Sequence, residues 1–170
     1  MNYELKKLSK GAIPPALKKA EHYRLLNEPY EAESICLDIL AIDPSNQDAL
    51  IMMILSLTDE FGREIEPAFS KAQAALDRLS DTYCRYYYGG IIFERRAKAH
   101  IQRGGPGAGH IAYEWFQKAL SAFDQALISC APGNEDAVLR WNTVARILNK
   151  DANVAPSKEK DEVLLADSWE

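Results

Sequence analysis

Apolar residues recur at three- and four-residue steps through most of this chain, and the breaks between the runs fall at proline and glycine. From Pro14 to Asn27, the spacing of Leu17, Ala20, Tyr23 and Leu26 predicts a helix with one buried stripe. Pro14 and Pro15 suit its first turn, where a missing N–H is harmless. After Asn27-Glu28-Pro29, a second helix runs from Tyr30 to Ile42 with Ala32, Ile35, Cys36, Ile39 and Leu40 on one face. Asp43-Pro44-Ser45-Asn46 stops it. Further helices are predicted over 47–59, from Pro67 to Leu79, and from Tyr83 to Arg103, the last capped by Asp81 or Thr82. The run from Gly104 to Gly109 breaks the pattern. His110 to Cys130 resumes it, with Ala112, Trp115, Phe116, Ala119, Leu120, Phe123, Ala126 and Leu127 on the buried side. After Ala131-Pro132-Gly133-Asn134, Asp136 to Asn149 forms a seventh helix whose stripe is Ala137, Val138, Trp141, Val144, Ala145 and Leu148. Trp141 is thereby read as core.

Seven helices and no strand pattern predict an all-α chain. It divides into an extension over 1–12, a helical domain over 13–149 and a tail over 150–170. In the tail three lysines face six acids, a net of −3. A hydrophobic content of 47% excludes wholesale disorder. A net charge of −5 makes nucleic acid a poor partner, since phosphate backbones are repelled. No apolar run approaches the roughly 20 residues of a membrane span, so no membrane insertion is expected. Met1 to Leu8 lacks the apolar core of a secretory signal, and Cys36, Cys84 and Cys130 are odd in number and far apart. Both point to a reducing, cytoplasmic setting.

The 34 residues from Ile13 to Asn46 resemble a tetratricopeptide repeat. Ala20 and Ala32 stand at its small positions, Tyr23 at its large aromatic position, and Ile39-Leu40-Ala41-Ile42-Asp43-Pro44 at its closing run. Ala68, Ala72, Ala75 and Leu76 resemble the second helix of another repeat, and Ala119-Leu120 with Pro132-Gly133-Asn134 a third. In that third repeat Gly89-Gly90 offers the close helix contact. The resemblance implies a right-handed α-solenoid of about three helix pairs with a C-terminal capping helix and tail. It also implies a protein-interaction module, an adaptor or assembly factor or scaffold, that takes an extended or helical peptide in a concave groove lined by first helices. The lysine and asparagine set with which some members grip a chaperone's C-terminal carboxylate is missing: Leu17, Glu21, Arg24, Ile51, Leu55 and Thr58 stand there instead. A second reading within the family is a small chaperone that holds a secreted or assembling subunit.

The candidate chemistry is that of binding. Gly104 to Gly109 is followed by His110 and Ile111, not by the lysine and hydroxyl residue of a phosphate loop. It reads as a flexible connection, with His110 and the amides beside it as a minor anion site. His22, His100 and His110 show no ligand spacing with each other or the cysteines, and read as surface histidines beside core thiols. No metal, cofactor or catalytic residue is expected, and the chain is read as a non-enzyme. Glu64 and Glu66 read as a solvated connector. Arg85, Tyr88, Arg96 and Arg103 share a broad face of the fifth helix, and Arg and Tyr are interface-enriched residues; the alternative there is a half-buried aromatic stripe among solvated charges, with RNA binding a lesser one. Arg140, Asn142, Thr143 and Arg146 lie off the apolar stripe of the seventh helix, where they either grip an acidic peptide or form a polar cap. The partner-binding set is thus Arg24, Arg85, Tyr88, Arg96, Arg140, Asn142 and Arg146. In the tail, Val163, Leu164, Leu165 and Trp169 form an apolar cluster among acids, a docking motif for the chain's own groove, for self-association or for another molecule.

Overall fold

The computed structural model describes residues 3–157, and among them there is no strand. A 3₁₀ turn (Lys10–Ala12) leads into α1 (Ile13–Leu25), α2 (Pro29–Ile42) and α3 (Gln47–Asp59). A second 3₁₀ turn (Glu60–Gly62) precedes α4 (Ile65–Leu76), α5 (Thr82–Arg103), α6 (Ala108–Ile128) and α7 (Asp136–Lys150). The caps follow from side-chain chemistry. Asn46 Oδ1 accepts the Ala49 amide at 2.9 Å to open α3, and Asp81 accepts the Cys84 amide at 2.7 Å to open α5. Gly104 ends α5 with φ 67°, a left-handed value that side chains resist. Two residues of the expected stripes are exposed. Leu26 sits beyond the last turn of α1 and is exposed, and Leu127 is more than a third exposed.

Each helix packs on the one before it and the one after it. The connections are short enough to fold each helix back on its predecessor. Contacts also run between alternate helices, α1 with α3, α3 with α5 and α5 with α7. The odd-numbered helices α1, α3, α5 and α7 thus also touch in succession. The closest approach is between α5 and α6, where a methyl on Gly90 would overlap the Phe123 ring. Helix α5 divides the interior. Its Ile92 and Ala99 belong to a core shared with α1 to α4, around Ile54, Leu57 and Phe61, whereas Ile91 and Ala97 face a second core around Phe116, Phe123 and Val144. Tyr88 and Phe93 pack against both.

Beyond α7 the chain stays on the fold. Val154 is buried in the second core, and the carbonyl of Asn153 lies against Gly109, where a β-carbon would overlap it. Ala155 O then meets His110 Nδ1 at 2.7 Å, so residues 151–157 form a strap across the start of α6.

Candidate functional site

The odd-helix face carries a chain of ionic contacts. Asp59, the last residue of α3, accepts Arg24 Nε of α1 at 2.8 Å and also pairs with Arg95 of α5. Arg95 continues to Thr58 Oγ1 at 2.7 Å. One residue earlier on α5, Glu94 is fully buried and holds Lys98 and the Arg140 guanidinium of α7, the latter 3.4 Å from both carboxylate oxygens. Four cations thus share two carboxylates across four helices. Burial, and then the nearby charges of Arg24 and Arg140, hold Arg95 below its usual pKa against the pull of Asp59. A hollow of about 220 Å³ opens here, lined by Asp59, Arg95, Lys98 and Gln102 among others. The surplus charge suits a carboxylate or another anion.

The opposite side presents aromatic rings. Phe69 of α4 and Trp115 of α6 meet edge-on over α5, their centroids 5.4 Å apart, and Phe93 lies 5.7 Å from Trp115. In the corner between the rings sits Arg96, its guanidinium carbon 4.0 Å from the Phe69 centroid and 4.2 Å from that of Trp115, with an ion pair to Glu66. Lys118 lies over Trp115 at 4.1 Å. Beside them runs an open groove of about 760 Å³ lined by Phe69, Tyr86, Phe93, Trp115, Lys118 and Ala122. It continues past Leu76, Arg85 and Gly89 toward the α4–α5 turn.

The predicted residues therefore separate. Arg24 and Arg140 belong to one ionic face, whereas Arg85 and Arg96 belong to the aromatic one. Tyr88 is half-buried between the two cores. Asn142 and Arg146 lie about 160° and 120° around α7 from Arg140 at 3.6 residues per turn, and the structure does not bring them to it. The cluster Val163, Leu164, Leu165 and Trp169 lies outside the described residues. Two readings need correction. Glu66 is a partner of Arg96 rather than part of a solvated connector. His100 is half-buried, not a surface histidine, and burial followed by the Arg96 charge lowers its pKa. Sequence reasoning missed Asp59 and Glu94. Glu94 had a signal, since it falls three residues after Ile91 and three before Ala97 on a buried line; Asp59 had none, because α1 and α5 meet it only in the fold.

A smaller acidic cluster lies behind the 3₁₀ turn. Glu60 is buried with Oε1 unpartnered among the described residues, and burial with the neighbouring Glu33 pushes its carboxyl up to about 7. Lys71 pairs with Glu33 at 2.9 Å. Among the described residues no group of His, Cys, Asp and Glu gathers as metal ligands, and no helix is long and apolar enough to cross a membrane. Burial pushes the Cys36 thiol up to about 12 and Cys84 up to about 11, which disfavours the thiolate form of both.

The class defined by this geometry is an all-α protein of consecutive helix hairpins with one ionic and one aromatic face. No protein-family model matches the chain, and no match emerges among curated proteins or solved structures.

Proposed function

We propose that the chain is a protein-interaction module of the tetratricopeptide type, an α-solenoid that binds an acidic extended or helical segment of a partner along α1, α3, α5 and α7. The observation that carries this reading is the ionic relay from Arg24 through Asp59 and Arg95, joined by Glu94 to Lys98 and Arg140. The relay joins four cations to two carboxylates in a chain of net charge −5. Such an imbalance, held on rigid helices, is suited to charge-assisted bonds with a carboxylate-bearing ligand. The successive contacts of the odd helices and the small residues Ala20, Ala32, Ala68 and Ala72 at buried contacts support the repeat reading. A cytoplasmic adaptor or assembly role fits that reading.

Fluorescence anisotropy with a panel of acidic and charge-neutral peptides tests it. Acidic peptides are expected to bind in a salt-sensitive way, and Arg24→Gln and Arg140→Gln each to weaken them about tenfold, one lost charge-assisted bond being about 1.4 kcal/mol. Thermal melts of the variants report any loss of fold. Equal binding of neutral peptides, or unchanged binding by well-folded variants, overturns the reading. Preference for an unfolded over a folded client would favour the chaperone role instead.

A further inference from the structure

The aromatic groove between α4 and α6 has an occupant of its own. We infer that the segment Val163–Trp169 of this chain docks there, placing its apolar residues against Tyr86, Phe93 and Trp115. Four observations converge on it.

The first is the direction of the chain. Around α6, at about 100° per residue, Gly109 lies on the side that Asn153 covers, and the exposed His110 lies one step further round. Trp115, Lys118 and Ala122 lie beyond His110 in the same sense of rotation. The strap touches Gly109 with Asn153 and His110 with Ala155, so its last described residues travel around α6 toward the groove.

The second is reach. Lys118 is eight positions along α6 from His110, about 12 Å at 1.5 Å per residue. The five residues from Lys158 to Glu162, with roughly 3.3 Å each when extended, span about 16 Å. They are long enough to deliver Val163 to the groove.

The third is chemistry. Val163, Leu164, Leu165 and Trp169 are four large apolar residues in seven, and the groove walls are Phe69, Tyr86, Phe93 and Trp115. The hollow of the ionic face has a single ring, the buried Phe61, among Thr58, Asp59, Arg95 and Lys98. Apolar surface leaves water at about 25 cal/mol per Å², so the segment gains on the aromatic side and not on the ionic one.

The fourth is charge. From Lys158 to Glu170 two lysines face five acids, a net of −3. Arg85 and Lys118 stand on the groove wall with Asp77 and Glu114, two cations against two acids. The acids of the segment therefore meet individual exposed cations, Arg85 and Lys118, rather than a positive surface.

The test uses the full 170-residue chain labelled with 5-fluorotryptophan, whose three ¹⁹F signals are assigned by single Trp→Phe variants. Trp169 is expected away from its random-coil position. Leu164→Asp with Leu165→Asp is expected to return it there and to shift Trp115 while leaving Trp141 in place. Lys118→Glu with Arg85→Glu, both exposed positions, is expected to release Trp169 without loss of helix content. A wild-type Trp169 at its random-coil position overturns the inference, as does a Trp115 signal indifferent to Leu164→Asp and Leu165→Asp. A Trp169 shift that disappears on dilution overturns it too, and assigns the groove to the segment of a second copy. Because the probe sits on the aromatic face, failure here leaves peptide binding at Arg24 and Arg140 untouched.

Discussion

Arg96 lies 4.2 Å from the ring centre of Trp115, and through this contact α5 holds the flanking helix α6 while the same guanidinium holds Phe69 of α4. A long cationic side chain thus acts as a packing element between aromatic rings. Arg96→Ala is expected to cost about 1–3 kcal/mol, combining two cation–π contacts and the Glu66 pair. Arg96→Lys should recover only part of that, because an ammonium cannot lie flat against two rings. Urea denaturation of the three proteins measures the order.

Removing Glu94 should be among the most damaging single changes. Its carboxylate is fully buried and neutralises Lys98 and Arg140. Glu94→Ala leaves both cations without it, and a loss of about 3–5 kcal/mol is expected. The same change in an Arg140→Ala background should cost less, which a double-mutant cycle by chemical denaturation would measure.

Two glycines are expected to respond against helix propensity. Alanine is favoured over glycine inside a helix by about 1 kcal/mol. At Gly90 the added methyl meets the Phe123 ring, and at Gly109 it meets the Asn153 carbonyl. Gly90→Ala should therefore destabilise by roughly 1–3 kcal/mol through overpacking. Gly109→Ala should lift the strap and expose Val154, speeding amide exchange at Val154 ahead of the rest of the second core.

Glu60 gives the stability a pH dependence of defined sign. Its carboxyl lies at about 7 in the folded chain against 4.5 ordinarily. A raised acid pKa means that the folded state holds the proton more tightly than the unfolded one. This favourable contribution is fully present below about 4.5, declines as pH rises and is lost through 7. Glu60→Gln should be more stable than the wild type at pH 8, with the difference shrinking toward pH 5. Thermal melts of both proteins across that range test it, and a constant difference would count against the assignment.

The helices were legible because their signals are local. The three-residue steps of Ala112, Trp115 and the residues after them, the caps at Asn46 and Asp81, and the breaks at Pro44 and Gly104 all act within one or two turns. Small residues were legible as contacts for the same reason, and Gly90 meets Phe123 as its pairing with Gly89 suggested. Arg24 and Arg140 were picked out by residue type, but their partners were not. Asp59 sits 35 residues from Arg24, and Arg140 lies 46 from Glu94. No local pattern joins such positions.

By itself the sequence determined an all-α chain, the places where its helices start and stop to within about three residues, and most of the apolar stripes, because hydrophobic period and backbone capping are short-range effects. Only the tertiary structure decided that Arg24, Asp59, Arg95, Glu94 and Arg140 form one ionic face and that Arg96 belongs instead to an aromatic corner with Phe69 and Trp115. It also turned Gly109 from part of a loose connection into the seat of a strap. Those outcomes depend on which side chains the packing of α1 to α7 brings within a few ångströms, and burial then sets the strength of each charge and ring contact.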